Sequence, residues 1–267
     1  MSDVWRLVGL DVYDCYMNMA IDEAILRRMS AGLAPNMLRF YRWKPSAVSI
    51  GYFQTVEQEV NLEHCRKFGI DVVRRITGGG AVFHAFDGEL TYSLIVSRNE
   101  GRVPNDISES YQVVCEGIVA GLRRLGVEAE FKPINDIIVN GRKISGSAQT
   151  RRRGVVLQHG TVLLKVDIRA MFSALKVSGE KISDKMIKSV EERVTSLSGE
   201  LGRDVGFDEV FEALKDGFGK ALGVEFLESK LDEEELKLAS DIRDKKYKTK
   251  WWNFTRPVDH PSGFKLI

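Results

Sequence analysis

Apolar residues recur at helical spacing in four stretches of the chain. The first stretch carries Met17, Ala20, Ile21, Ala24 and Ile25 on one side, and most of its charged residues lie on the other. This pattern is typical of an amphipathic helix that packs on a core. The same spacing predicts three further helices, at residues 108–125, 207–222 and 232–246. An acidic pair resembling a capping box begins the last of these helices.

Between these helices, short runs of β-branched and aromatic residues are typical of strands. They lie at residues 38–43, 47–54, 70–73, 90–96 and 127–131. Together the elements predict an α+β fold, with a mixed β-sheet flanked by helices and a small C-terminal helical subdomain. The only candidate boundary lies near residues 199–206. We therefore predict a main domain of residues 1–198 and a subdomain of residues 199–267, which can pack together as one domain.

Composition narrows the class of protein. The chain has 267 residues, of which 43% are hydrophobic, with 39 basic and 38 acidic side chains. This balance predicts neither nucleic acid nor a membrane surface as a partner, so any anion site must be local. The N-terminus lacks the features of a signal peptide, and we expect a cytoplasmic protein. Three widely spaced cysteines fit neither a disulfide framework nor a zinc site.

A glycine-rich turn between two predicted strands is the first candidate for chemistry. It reads Arg74-Arg75-Ile76-Thr77-Gly78-Gly79-Gly80-Ala81-Val82-Phe83-His84. Glycine permits positive φ angles and a close approach of backbone N–H groups to a ligand. Converging amides next to guanidinium groups favour an anion. A flexible turn is the alternative interpretation.

The second candidate is a hairpin around Asn140-Gly141, the dipeptide typical of a type I′ turn. A two-residue turn pairs Val139 with Arg142, Ile138 with Lys143 and Asp136 with Ser145. Alternation along the strands then predicts one polar face that could bind a ligand or simply face solvent. The predicted polar face consists of Asp136, Lys143, Ser145, Ser147 and Gln149, and the opposite face of Ile137, Ile144, Gly146 and Ala148.

Both stretches resemble motifs of lipoate-protein ligases, the catalytic domains of the biotin/lipoate ligase family. The loop resembles Arg-Arg-x-x-Gly-Gly-Gly-Ala-Val-x-His, and the hairpin resembles Asn-Asp…Arg-Lys-x-Ser-Gly-Ser-Ala. Two further matches follow in order, at residues 158–164 and 185–197. The resemblance extends from about residue 17 to about residue 253, and four ordered motifs are more specific than any one of them.

The resemblance implies a two-step reaction and a set of site residues. Lipoate and ATP would give lipoyl-AMP, which a lysine of a lipoyl-domain protein would then attack. The expected acceptors are the E2 subunits of 2-oxoacid dehydrogenases or the glycine cleavage H protein. Lys143 is the expected catalytic residue, and Asp136 the expected Mg²⁺ ligand. The expected ATP and lipoyl-AMP contacts are Arg75, Gly80, Ala81, Val82, Phe83, His84, Asn135, Asp136, Lys143 and Lys185, and the expected lipoate pocket is Gly51, Tyr52, Gly79, Gly146 and His159.

Three alternatives remain open. An octanoyltransferase of the same fold moves an acyl group from acyl carrier protein through a cysteine thioester, and residues 146–151 and 157–160 resemble that group equally well. Such enzymes carry a cysteine shortly before the hairpin, and residues 131–136 contain none. A biotin ligase and a non-catalytic lipoyl-domain binder are ranked lower. Too little chain follows Asn253 for a C-terminal accessory domain, so a separate accessory subunit is expected for a ligase.

Overall fold

The computed structural model describes residues 3–176 and 184–255. The helices predicted at residues 108–125 and 207–222 are shifted by one residue and not at all, respectively, whereas the helix predicted at 232–246 ends four residues earlier, at Ile242. The strands are β1 (Asp3–Tyr13), β2 (Met37–Trp43), β3 (Ala47–Ile50), β4 (Asp71–Arg74), β5 (Val82–His84), β6 (Glu89–Ser97), β7 (Ala129–Lys132), β8 (Asp136–Val139), β9 (Arg142–Arg152), β10 (Val155–Leu163) and β11 (Val224–Ser229). The helices are α1 (Cys15–Ser30), α2 (Val56–Glu59), α3 (Leu62–Phe68), α4 (Ile107–Arg124), α5 (Ile168–Ala174), α6 (Asp184–Glu191), α7 (Leu197–Leu201), α8 (Phe207–Leu222), α9 (Glu233–Ile242) and α10 (Lys250–Phe254).

Eight strands form the main sheet in the order β11-β1-β2-β6-β10-β9-β8-β7. The sheet is mixed, because β1 runs parallel to both β2 and β11 whereas the remaining neighbours are antiparallel. A second, smaller sheet has the order β4-β3-β5. The predicted α+β architecture, a mixed sheet flanked by helices, is confirmed.

Helices cover both faces of the main sheet. On one face α4 and α8 bury a core that contains Phe40, and on the other face α1 and α9 bury a core that contains Tyr41. Consecutive residues of β2 point to opposite faces, so one strand supplies both cores. Asp22 and Glu23, predicted on the exposed side of α1, are instead buried. The prediction was wrong here because Asp22 faces the main sheet, where it contacts Arg39 and Ser93. Glu23 is covered by the segment that follows α9, through Lys246 and Tyr247.

Two glycines let α4 and α8 cross at close range. A Cβ atom on Gly217 would lie 2.3 Å from the carbonyl oxygen of Gly117, and a backbone atom cannot rotate away. We expect Gly217→Ala to lower the free energy of unfolding by about 1 to 3 kcal/mol, as overpacking does. Urea denaturation would measure this. The control is Gly199→Ala in α7, where the nearest atom is 3.4 Å away; equal stability of the two variants would contradict the prediction.

The C-terminal elements pack against the rest of the chain. Strand β11 pairs with β1 at the edge of the main sheet, and α8 packs against α4. Helix α9 begins with the predicted capping box between Asp232 and Glu235. The division after residue 198 stays a prediction.

Arg74 attaches the end of the described chain to the region of the glycine-rich loop. It is fully buried and donates to the carbonyl oxygens of Trp252 and Asn253 at 2.9 and 3.0 Å. It also donates to the carbonyl oxygens of residues 51, 52 and 54. The side chain of Arg74 is therefore committed to joining two segments that are distant in sequence.

Within residues 3–176 and 184–255, no helix has both the length and the hydropathy needed to cross a bilayer.

Candidate active site

A cavity of about 340 Å³ lies between the glycine-rich loop, the small sheet and strands β9 and β10. Its volume falls at the small end of the range for small-molecule sites. Most of the predicted site residues line it, namely Arg75, Gly79, Gly80, Ala81, Val82, Phe83, His84, Asn135, Lys143, Gly146 and His159. Sequence reasoning therefore located the cavity, although the ligand contacts predicted for these residues stay predictions.

Three other predicted residues that the structure describes, Gly51, Tyr52 and Asp136, are absent from the lining of this cavity. Gly51 lies beneath the loop, where a Cβ atom would come within 2.0 Å of the carbonyl oxygen of Gly79. Tyr52 is buried, and its backbone N–H donates to the carbonyl oxygen of Thr77 at 2.9 Å. Gly51 and Tyr52 thus support the loop from behind. The side chain of Lys185 lies outside the described part of the chain.

The hairpin forms the turn that the sequence predicts. Asn140 and Gly141 have φ angles of 50° and 77°, and Val139 pairs with Arg142. Positive φ angles at both central residues are what a type I′ turn requires. The turn thus sets the register at the tip of the hairpin.

A β-bulge changes the register farther from the turn. Asp136 pairs with Gly146, not with Ser145 as predicted, because Ile144 is an extra residue on β9. An extra residue reverses the alternation of side chains beyond it. Gly146 therefore joins the face of Lys143, and the prediction that Ser145, Ser147 and Gln149 share that face is wrong. Ser147 instead contacts Tyr92 on the α4 side of the sheet.

Because of the bulge, the Lys143 side chain lies directly over the backbone of Gly146. A Cβ atom on Gly146 would lie 2.8 Å from both Cε and Nζ of Lys143, so only glycine leaves this path open. The Nζ atom is 2.6 Å from Oδ1 of Asp136, which confirms that these two residues share a face. The Lys143 side chain is 44% exposed and borders the cavity, so its ammonium group can meet both a bound ligand and solvent.

The magnesium ligand predicted at Asp136 stays a prediction. Mg²⁺ prefers several oxygen ligands in octahedral geometry. Asp136 is a single carboxylate that already accepts from Lys143. In the part of the chain that the structure describes, no three His, Cys, Asp or Glu side chains come together in a way that could hold a metal.

Arg75 is buried beneath the loop. Its Nη2 atom donates to the carbonyl oxygens of Gly78 and Gly80 at 2.8 and 2.7 Å. Its Nε and Nη1 atoms donate to the hydroxyls of Thr77 and Ser49, both at 3.1 Å. Burial lowers the pKa of Arg75 to about 10. These contacts hold the loop in place and leave the guanidinium group little capacity for a phosphate, the ligand predicted for it.

Both histidines at the cavity are hydrogen-bonded on each ring nitrogen. His84 lies 2.5 Å from Glu89 and 2.8 Å from Ser49, and its ring stacks on that of Trp43. His159 lies 3.2 Å from the Asp22 carboxylate and 2.8 Å from the Thr77 hydroxyl. These partners orient the rings, as expected for histidines that do not transfer protons.

Burial outweighs the nearby carboxylate in setting the charge of His159. Desolvation lowers the pKa of its imidazole despite the hydrogen bond with Asp22, so the ring is neutral near neutral pH. Burial alone would raise the pKa of Asp22. Hydrogen bonding with His159 and the charge of Arg39 outweigh that effect and hold the pKa of Asp22 below its ordinary value.

Sequence reasoning missed Glu89, which lines the cavity, and Asp22 and Thr77, which lie behind it and contact His159. Asp22 lies on a helix and Glu89 starts a strand, and neither position carries a pattern that marks a site. Of these residues, only Thr77 could have been singled out from the sequence, because it lies within the glycine-rich motif. Their roles depend on contacts with distant residues, such as that between Asp22 and His159.

None of the three cysteines lines the cavity. Cys15, Cys65 and Cys115 are all at most 1% exposed. Burial raises the pKa of each thiol, that of Cys115 to about 12. Since the thiolate is the nucleophile, none of these groups is poised for attack.

Comparison with known proteins identifies the family. The model of the lipoyl protein ligase A/B catalytic domain matches residues 14–219. The chain belongs to this family. It is 38% identical to the octanoyltransferase LipM of Brevibacillus brevis, over 94% of this chain and 99% of that protein.

Two solved structures of similar proteins have the same architecture. One is the bi-partite lipoate protein ligase of Thermoplasma acidophilum, with a TM-score of 0.85 and 38% identity over 95% of this chain and 97% of that one. The other is lipoate-protein ligase A bound with ATP, with a TM-score of 0.81 and 34% identity over 96% of this chain and all of that one. The predicted family resemblance is confirmed.

The predicted ATP-dependent ligase activity is wrong. Curated relatives that match nearly the whole chain, including those of Brevibacillus brevis and Bacillus subtilis, are octanoyltransferases. These names support the alternative of an octanoyltransferase over the predicted ligase. The ligase prediction depended on the lack of a cysteine in residues 131–136. ATP, Mg²⁺ and lipoyl-AMP were expected only for the ligase reaction, so they are not carried over to the transferase alternative.

Proposed function

We propose that this protein transfers an octanoyl group from a thioester on an acyl carrier protein to a lysine of a lipoyl-domain protein. The observation that carries the proposal is the near full-length match to octanoyltransferases, 38% identical across 94% of the chain. The expected acceptors are E2 lipoyl domains and the glycine cleavage H protein. One similar structure is reported together with its E2 lipoyl domain, which supports an acceptor of this type.

The cavity suits an apolar acyl chain with a polar end. Side chains such as those of Val82, Phe83 and Met171 line its walls. Lys143 supplies an ammonium group at the cavity, and the glycine-rich loop supplies backbone N–H groups. Apolar walls with a few oriented polar groups are typical of sites that fix one end of a ligand. The octanoyl chain would lie inside, with its carbonyl group near Lys143.

The reaction is an acyl transfer from sulfur to nitrogen. The acceptor lysine amine attacks the thioester carbonyl carbon, a C–N bond forms and the C–S bond breaks. The amine loses a proton and the departing sulfur gains one, so amide and thiol are the products. Negative charge develops on the acyl oxygen during attack, and a fixed ammonium group beside it lowers the barrier. In this proposal Lys143 supplies that ammonium group.

The transfer in this proposal is direct. A covalent acyl-enzyme would need an accessible thiolate, and Cys15, Cys65 and Cys115 are buried with raised thiol pKa values. Donor and acceptor would therefore bind at the same time, and the acyl group would pass between them without forming a covalent acyl-enzyme intermediate.

The test combines the protein with octanoylated carrier protein and an apo lipoyl domain. We expect mass spectrometry to find one octanoyl group on the acceptor lysine, and no octanoyl adduct on the enzyme when the acceptor is left out. A parallel reaction replaces the octanoylated carrier with free octanoate or lipoate, ATP and Mg²⁺. Modification only in that parallel reaction would overturn the proposal, and an acyl-enzyme in the first would overturn direct transfer.

A further inference from the structure

The two histidines at the cavity belong to hydrogen-bonded chains of the same composition. In one chain Arg75 contacts the Ser49 hydroxyl at 3.1 Å, Ser49 contacts His84 at 2.8 Å, and His84 contacts Glu89 at 2.5 Å. In the other chain Arg75 contacts Thr77 at 3.1 Å, Thr77 contacts His159 at 2.8 Å, and His159 contacts Asp22 at 3.2 Å. Each chain runs from guanidinium to hydroxyl to imidazole to carboxylate.

Chemistry determines the direction of most hydrogen bonds in the two chains. Arginine can only donate and a carboxylate can only accept. Each hydroxyl therefore accepts from Arg75, and each histidine donates its Nδ1 proton to the carboxylate. Desolvation keeps His159 neutral near neutral pH, so its Nε2 atom accepts the proton of the Thr77 hydroxyl. The Thr77 hydroxyl is thus fixed in a single orientation, and Arg75 is held on two sides.

Because Arg75 is held in place, its hydrogen bonds to the carbonyl oxygens of Gly78 and Gly80 also fix the glycine-rich loop. In a trans peptide the C=O and the following N–H point in opposite directions. The N–H groups of Gly79 and Ala81 therefore point away from Arg75. The φ angle of Gly79 is 96°, a conformation that suits glycine, and a Cβ atom there would lie 2.9 Å from Arg75.

We propose that Ser49 and Thr77 are positioning residues for acyl transfer, which act through Arg75 to hold the N–H groups of Gly79 and Ala81 toward the acyl oxygen. Neither hydroxyl needs to touch the substrate. Thr77 is fully buried, and its oxygen already serves both Arg75 and His159. It resembles the nucleophile of a Ser-His-Asp triad only in its contacts. The role in catalysis depends on the proposed octanoyl transfer, whereas the effect on the loop does not.

The test compares Thr77→Val, Ser49→Ala and Thr77→Ser. Valine has the shape of threonine without the hydroxyl, and serine keeps the hydroxyl. We expect Thr77→Val and Ser49→Ala to lower kcat about tenfold to a hundredfold, the cost of a small misplacement of oriented groups, with little change in KM for the octanoylated carrier. Thr77→Ser should stay close to wild type. Hydrogen exchange at the amides of residues 78–82 should become faster in the first two variants and not in the third.

Measuring both kcat and hydrogen exchange separates the proposed octanoyl transfer from the proposed positioning role of Ser49 and Thr77. Wild-type kcat and unchanged exchange in Thr77→Val would overturn the positioning role, as would an equal loss of activity in Thr77→Ser. If the wild-type protein transfers no octanoyl group, the proposed function fails. Hydrogen exchange then still decides the positioning role, because faster exchange in Thr77→Val and Ser49→Ala but not in Thr77→Ser supports it, and equal exchange in all variants overturns it.

Discussion

Replacing Lys143 by alanine is expected to lower kcat for octanoyl transfer by about a hundredfold to a thousandfold, as the loss of one preorganised donor to a developing oxyanion commonly does. The ammonium group borders the cavity on the path that Gly146 leaves open. The side chain is 44% exposed, so its removal should not disturb the fold. Steady-state kinetics with octanoylated carrier protein and an apo lipoyl domain would measure the change.

Lys132 offers a matched control for this prediction. It is an exposed lysine on β7, paired in register with Asp136 on β8 and therefore two strands away from Lys143 on β9. We expect Lys132→Ala to retain wild-type kcat. Wild-type kcat in Lys143→Ala would show that its charge does not act in the transition state. An equal loss in both variants would point to a general effect of basic charge on carrier binding.

The second large effect is expected on stability, from Asp22→Ala. The Asp22 carboxylate is 3.1 Å from Arg39, whose side chain is fully buried, and it also accepts from Ser93 at 2.8 Å. Removing one partner leaves a buried charge uncompensated, which costs about 3 to 5 kcal/mol. Urea denaturation would measure the loss.

Asp11 is the matched control, because it approaches the same arginine. Its carboxylate is 3.8 Å from Arg39 and 30% exposed. Burial raises the pKa of Asp11 despite this neighbour, so its charged form gains little from the pair. We expect Asp11→Ala to cost much less than Asp22→Ala. Equal costs would mean that proximity to Arg39 alone, without the burial and hydrogen bonds of Asp22, determines the effect.

The pH dependence provides a second check on Asp22. Its pKa is held below the ordinary value of 3.8, so its contribution to stability is complete above pH 3.8. The contribution is lost as pH falls through the lower pKa of the folded protein. The difference in stability between wild type and Asp22→Ala should therefore be constant from neutral pH down to about pH 4 and shrink below it. A difference that shrinks already near neutral pH would contradict this assignment.

Short-range patterns predicted the elements of this protein and the place of its site. The helical spacing of apolar residues predicted α8 with the bounds observed, and Asn140-Gly141 predicted the turn and the pairing of Val139 with Arg142. These features depend on neighbours within a few residues, which the sequence displays directly. The resemblance of the motifs identified the family. It did not determine the reaction, because ligases and octanoyltransferases share the motifs and differ in chemistry.

Only the tertiary structure decided how the polar groups at the site are used. Ile144 forms a bulge that moves Gly146 and not Ser145 to the face of Lys143, and nothing in the spacing of the hairpin predicts an extra residue. Arg75 is directed to the loop carbonyls because Ser49 and Thr77 hold it from different segments. The sequence alone determined the four longest helices, several strands and the tip of the hairpin, because these depend on local geometry. Burial and hydrogen-bond partners depend on residues far apart in the chain, such as Asp22 and His159, and only packing brings these together.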